Sequence, residues 1–475
     1  CLRLFVALGV IAALAPALAE ASEMPSGRLP TGTPPPGTYD QWLEAQPPVA
    51  PFTAEVLYAS EPEKAWLAGE LDPPTPSPGA RDYLILVNQA LYPAIQGVLA
   101  TYISDVENEG LTVELVQVSG GTAEDFRAFL ISKYNELTNL EGCFFIGDLP
   151  VPWFHNPIDF FDKSATFPSD LYLTDLDGDW SDTDADGMPD LHTSLSGDMG
   201  PEIYAGRILA HNLTLESGQN EVSLITRYLN KVHDYRQGLA TTNGVACLYT
   251  DDDWSGGISK QSARCTWAWK NQVHYSDKDQ TRAADYKIRI QTPYEYLRIA
   301  CHSWHLGHWF KTTAGWESTK VFSSDLVSNP PDVLFYNLYA CSNARWTEND
   351  CMGIWYTMSG AGLGAVGSSK TGGMNDGTVF YQQIGQYYSM GNAVQRWFES
   401  LQPYSDGERM WTYGMLWLGD PTLWRTRLGP SAFYLTGPAD ATQYATADVP
   451  FEWEESRPVG VYETVTYTLR IDNNS

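Results

Sequence analysis

At 475 residues the chain is too long for one ordinary hydrophobic core, so two or three domains are expected. A hydrophobic share of 43% against 18% charged residues excludes a disordered chain. Asp and Glu number 58 against 29 Lys and Arg, a formal net charge of -29, which excludes nucleic acid and anionic membranes as partners.

The apolar run from Leu4 to Ala19 follows Arg3 and ends in the small-residue pattern Ala17-Leu18-Ala19. It predicts a signal peptide over residues 1–19 and a secreted, extracellular or cell-surface protein of bacterial type. The run is short for a membrane anchor and contains Pro16, and no other stretch could span a bilayer. The start at Cys1 and the stop inside a strand-like segment suggest that both ends are incomplete, so any surface attachment would lie beyond residue 475. Six cysteines remain after the signal, sparse for a disulfide framework. Cys143, Cys247 and Cys301 lie in apolar runs where buried free thiols are common.

Residues 20–80 are rich in Pro, Ala, Gly and Glu, which predicts a linker or pro-segment with little regular structure. From Arg81 the pattern alternates. Tyr83–Val87 reads as a buried strand. A helix follows with Ile95, Leu99, Tyr102, Ile103 and Val106 on one face, closed by Gly110. Val113–Val118 is a second strand. Thr122 and Asp125 form a capping box that opens a helix to about Asn139, and Cys143–Ile146 is a third strand. This order implies a parallel sheet covered on both faces. A loop-rich insertion runs from Leu149 to about Gly200. A strand at Glu202–Leu209 and a helix near Glu216–Gln237 complete a unit over 81–238. A second unit, 239–428, has strands at Gly244–Tyr249, Tyr296–Cys301, Val333–Tyr339 and Leu363–Gly367, with helices at about Met352–Met358 and Val379–Glu399. Over 429–475, Phe451–Trp453 and Tyr467–Ile471 resemble the opening strands of an immunoglobulin or fibronectin-like sandwich.

In parallel α/β sheets, reactive groups collect beyond the carboxyl ends of strands. One strand runs into Cys301 and His302, another into Cys341. A thiol needs a base, because the thiolate is the nucleophile. An imidazole on the neighbouring strand supplies it and later protonates the leaving amine. Backbone N–H groups at Ser303 and Cys341 are candidates for an oxyanion site. His305 and His308 are alternatives to His302, and Cys301 or Cys351 could instead bond Cys341. Ser342 has no G-x-S-x-G elbow around it, and without a C-x-x-C pair a thiol oxidoreductase is excluded.

An apolar strand ending in His, followed by one ending in Ala-Cys, resembles the caspase-like cysteine peptidases. Within them the chain is most similar to the gingipain family. The resemblance rests on Phe145–Pro150, Ser169–Tyr172 with its aspartate-rich continuation to Pro201–Arg207, Gly364–Gly372, and Leu418–Leu423. It covers about residues 81–428. It implies a caspase-like α/β/α sandwich in two subdomains with mainly parallel sheets, the second catalytic, then an immunoglobulin-like domain. It also implies protein or peptide substrates and an acidic partner for the His in the Thr250–Trp254 region, where Asp252 and Asp253 are the candidates. Gingipains prefer Arg or Lys before the scissile bond, but no acidic pocket floor stands out here. The family has Gly after its catalytic His, and this chain has Ser303. That departure keeps open a rival reading, a degenerate surface binding protein on the same fold.

Asp182, Asp184 and Asp186 alternate, then come Gly187 and Asp190, a spacing that lets oxygens converge on a hard cation. Asp175, Asp177 and Asp179 lie just upstream. The expectation is structural calcium in a loop shorter than an EF-hand, since Thr193 stands where the closing Glu would be.

Overall fold

The computed structural model describes residues 37–60 and 81–425 apart from 138, 161, 162, 195 and 373–376, plus two short strands, Leu435–Gly437 and Glu452–Trp453. The expected signal peptide lies outside the described residues, as does most of the expected sandwich domain; its two described strands pair with one another.

Eleven strands build one sheet. In chain order they are β1 (Thr53–Ala59), β2 (Arg81–Asn88), β3 (Leu111–Ser119), β4 (Leu140–Ile146), β5 (Tyr204–Ile208), β6 (Ala246–Thr250), β7 (Gln272–Tyr275), β8 (Tyr294–Ala300), β9 (Val333–Tyr339), β10 (Gly364–Ser368) and β11 (Met415–Gly419). Their spatial order is β1-β3-β2-β4-β5-β11-β10-β9-β8-β6-β7. β1 on β3 and β11 on β10 are antiparallel. The β2–β3, β2–β4, β4–β5, β6–β7, β6–β8, β8–β9 and β9–β10 pairs are parallel.

The two expected units therefore share a single mainly parallel sheet rather than owning one each. They meet at Leu418 opposite Arg207. Gly206 makes this join possible: a Cβ there would lie 2.3 Å from the Gly419 carbonyl oxygen.

Strand residues alternate between two apolar layers, because successive side chains point to opposite faces. On β2, Tyr83, Ile85 and Val87 pack with Ile95, Leu99 and Tyr102 of the Tyr92–Asn108 helix. Leu84 and Leu86 pack with Phe126 and Leu130 of the Ala123–Glu136 helix. The Thr122–Asp125 capping box is formed, and Gly110 has a φ of 86°. That second helix ends at Glu136, short of Asn139.

Two expectations need correction. The described part of 20–80 is regular: Tyr39–Ala45 is a helix capped by Thr38, and β1 covers the β3 edge. Its backbone pairing outweighs the Pro- and Ala-rich composition. Val379–Glu399 is two helices, Thr378–Gly385 and Met390–Glu399, broken where Tyr387 has a φ of 62° and Ser389 caps the second. After Cys301 the chain folds into a hairpin of His302–Trp304 on Gly307–Trp309. Among the described residues, no helix is long and apolar enough to cross a membrane.

Candidate active site

β8 and β9 are parallel, with Ala300 opposite Tyr339. Two residues further on, these strands deliver His302 and Cys341 to the same edge. A separate cavity of about 360 Å³ lies at the carboxyl ends of β4 and β5, lined by Gly147–Leu149, Leu209, His211, the Trp346–Asn349 segment and Trp42; neither His302 nor Cys341 lines it.

Cys341 is partly exposed, and its sulfur is free of any disulfide, as are the other five described cysteines. Ser342 turns the chain sharply with a φ of 54° and donates its N–H to the Lys370 carbonyl at 2.9 Å. Asn343 fixes the turn by donating to the carbonyls of Leu338 at 3.0 Å and Ala340 at 2.7 Å. The Gly372 N–H reaches the Cys341 sulfur at 3.4 Å. Burial pushes the thiol pKa up, opposed by the Gly372 N–H, the Lys370 charge and the N–H of Cys341 itself.

His302 is 8% exposed. Its Nε2 lies 2.7 Å from Asp253 Oδ2, which also receives Lys311 Nζ at 2.8 Å. The rings of Trp254 and Trp316 lie 4.6 Å and 4.7 Å from the imidazole. Burial lowers the His302 pKa, and Asp253 pulls it back up. For Asp253, burial pulls upward, but the hydrogen bonds from His302 and Lys311 win and hold it below the usual carboxylate range.

Asp252 points elsewhere and accepts the Asp279 N–H at 3.1 Å. Asp251 is fully buried and accepts the Lys311 N–H at 3.0 Å, which steadies the strand that carries the Lys311 ammonium. Its burial raises its pKa to about 8. Ser303 donates its hydroxyl to the Cys341 carbonyl, tying the two strand ends. Of the other histidines, His308 is fully buried with Nε2 3.0 Å from the Tyr356 hydroxyl. The His305 carbonyl accepts the Met352 N–H at 2.6 Å.

The aspartates divide into two groups. Asp175 and Asp177 converge with Glu202, and Asp182, Asp184 and Asp186 converge with one another; within each group the ligand atoms lie within 4.8 Å. Asp179 instead accepts the Ser196 N–H at 2.6 Å, and Asp190 accepts the Thr183 N–H at 3.0 Å. In the first group, burial raises Asp175 and Glu202 to about 7. Asp175 already has protein partners: it accepts the Gly178 N–H at 2.8 Å and the Trp180 Nε1–H at 3.2 Å, and its Oδ2 lies 2.5 Å from His192 Nε2.

Sequence reading missed Glu202, Lys311, Lys370 and Gly372. Glu202, Lys370 and Gly372 stand in the motifs that carry the resemblance, but nothing local marks Lys311.

A profile of peptidase family C25 matches residues 77–424. Comparison with curated proteins returns no match. Among solved structures, the chain resembles the Arg-specific cysteine proteinase gingipain R at 13% identity, with a TM-score of 0.50 over 78% of this chain and 83% of that one. The complex of pro- and mature domains of RgpB from Porphyromonas gingivalis resembles it at 14% identity, with a TM-score of 0.50 over 76% and 83% of the two chains. A structure described only as a protease matches at 13% identity, with a TM-score of 0.50 over 77% and 82%. At these identities the structures speak for the fold, and the profile speaks for descent. With the family's profile spanning both halves of the sheet, the chain belongs to peptidase family C25, the gingipain family of cysteine peptidases.

Proposed function

We propose that the protein is a secreted cysteine endopeptidase in which Cys341 is the nucleophile, His302 its proton acceptor and Asp253 the carboxylate that orients the ring. The carrying observation is the delivery of a thiol in no disulfide and a carboxylate-held imidazole to one sheet edge by adjacent strands. Burial keeps the thiol protonated and the imidazole neutral at rest. With Nε2–H donated to Asp253, the lone pair on Nδ1 is available to a thiol proton. As the sulfur bonds to the peptide carbonyl carbon, the proton passes to His302. The C–N bond then breaks and the amine leaves with that proton. Water, deprotonated by His302, cleaves the thioester and restores the thiol. The N–H groups of Ser303 and Cys341 would face the oxyanion. Asp252, turned toward Asp279, has no part in this scheme.

The insertion would hold calcium structurally, through Asp175, Asp177 and Glu202 and through Asp182, Asp184 and Asp186. Calcium would supply charge neutralisation there and no chemistry at the thiol.

A second reading, a binding protein on an inactive peptidase fold, draws on Ser303, whose hydroxyl occupies the Cys341 carbonyl. Iodoacetamide labelling with peptide mapping, alongside cleavage of a mixed peptide library, separates the two. Cleavage, with labelling of Cys341 that is lost in His302→Ala, is expected. Equal labelling of several cysteines and no cleavage would favour the binder.

A further inference from the structure

The hairpin of Trp153–Asp159 and Lys163–Pro168 belongs to the loop-rich insertion, far in sequence from Cys341. Yet Asp159 and Phe160, at the end of its first strand, reach the nucleophile's neighbours. Asp159 Oδ1 lies 3.0 Å from Lys370 Nζ, and both side chains are almost fully buried. The ammonium also donates to the carbonyls of Thr371 at 2.6 Å and Met410 at 2.8 Å. The other Asp159 oxygen accepts Asn156 Nδ2 at 3.0 Å. Phe160 lies against Gly372, where a Cβ would come within 1.7 Å of the ring. Gly372 has a φ of 85°, so both steric room and backbone conformation require glycine there. Phe160 is itself held edge-on by Trp411 at 4.7 Å.

We propose that this hairpin is a positioning element of the catalytic apparatus: Asp159 and Phe160 clamp the Lys370–Gly372 loop so that the Gly372 N–H stays on the Cys341 sulfur and the Lys370 charge stays beside it. The proposal rests on the peptidase reading above. A buried carboxylate holds the cation in place, and the ring fixes the peptide plane that carries the N–H. Both groups favour the thiolate over the thiol, which burial alone would oppose. Lys370 and the Gly372 N–H thus work with His302: the base removes the proton, and the clamp lowers the energy of what is left. Lys370 also accounts for the Ser342 turn, since its carbonyl receives the Ser342 N–H.

The test is the pH dependence of iodoacetamide alkylation at Cys341, located by peptide mapping, together with kcat and KM on a cleaved peptide. Removing the ion pair as a pair, in D159N/K370M, avoids leaving a lone buried charge. The alkylation midpoint should rise by about one pH unit. kcat should fall roughly tenfold with KM little changed. F160A, which frees the loop but keeps the pair, should shift the midpoint in the same direction. Should the double variant fail to fold, F160A decides alone. A folded variant whose midpoint and kcat match wild type overturns the clamp while leaving Cys341 as the nucleophile. A wild-type protein in which Cys341 is no more reactive than the buried thiols overturns both.

Discussion

Asp252 and Asp253 are neighbours in sequence but meet different partners. They sit in the short helical turn Asp252–Gly257, where successive side chains point in different directions. Asp253 meets His302 and Lys311, while Asp252 meets the Asp279 backbone. Asp253→Asn should lower kcat/KM by about 100-fold or more, since it removes the charge that steadies an imidazolium. Asp252→Asn should leave it within about threefold; steady-state kinetics on both variants checks this. His308 carries a different prediction. Burial pushes its pKa down to about 3, against 6.5 for an ordinary histidine. The unfolded chain therefore takes up the proton first as pH falls. Stability present above pH 6.5 is lost from there toward pH 3, by up to about 1.4 kcal/mol per pH unit from this residue. Urea unfolding of wild type and His308→Gln across that window should show the variant with the shallower slope.

At the scale of elements, the join between the halves is a close backbone approach. Gly206→Ala would place a methyl group 2.3 Å from the Gly419 carbonyl oxygen and 2.6 Å from the Pro421 ring. Neither can yield easily, so a loss of about 1–3 kcal/mol is expected from the urea midpoint. β1 has a related role at the other end. It takes up the free edge of β3 and leaves its own outer side largely exposed, with Val56 at 46%. Without β1, the β3 edge would be open to pairing with other chains.

For the whole molecule, Arg236 is the buried rivet below the join. It lies 3.0 Å from Glu109 and 2.9 Å from Asp420, and Tyr102 donates to Asp420 at 2.9 Å. Burial raises Glu109 to about 7 even with Arg236 pulling it down. Arg236→Met would strand two buried carboxylates and should cost about 3–5 kcal/mol in denaturant unfolding. The acidic insertion should respond to metal instead. With calcium at about 100 times its dissociation constant, binding adds about 2.7 kcal/mol, so a chelator should lower the melting temperature. Asp182→Asn should shrink that drop; a melting curve indifferent to both calcium and chelator would remove calcium from the account.

The sequence alone located most sheet strands and the two that end in His302 and Cys341. Those features are local: an apolar run long enough for a strand, and a reactive residue at its carboxyl end. It also held the Thr122–Asp125 cap and the alternating aspartates, whose partners lie within a few residues. Where partners are distant, tertiary structure decided. That Asp253, and not Asp252, meets His302 depends on how the Asp252–Gly257 turn packs against the strand end forty-nine residues on. The second sheet expected on its own is continuous with the first, because Gly206 lets its backbone come close to the Gly419 carbonyl. Gly372 meets Phe160 across more than two hundred residues of chain, a contact made by packing and marked by no periodicity along the sequence.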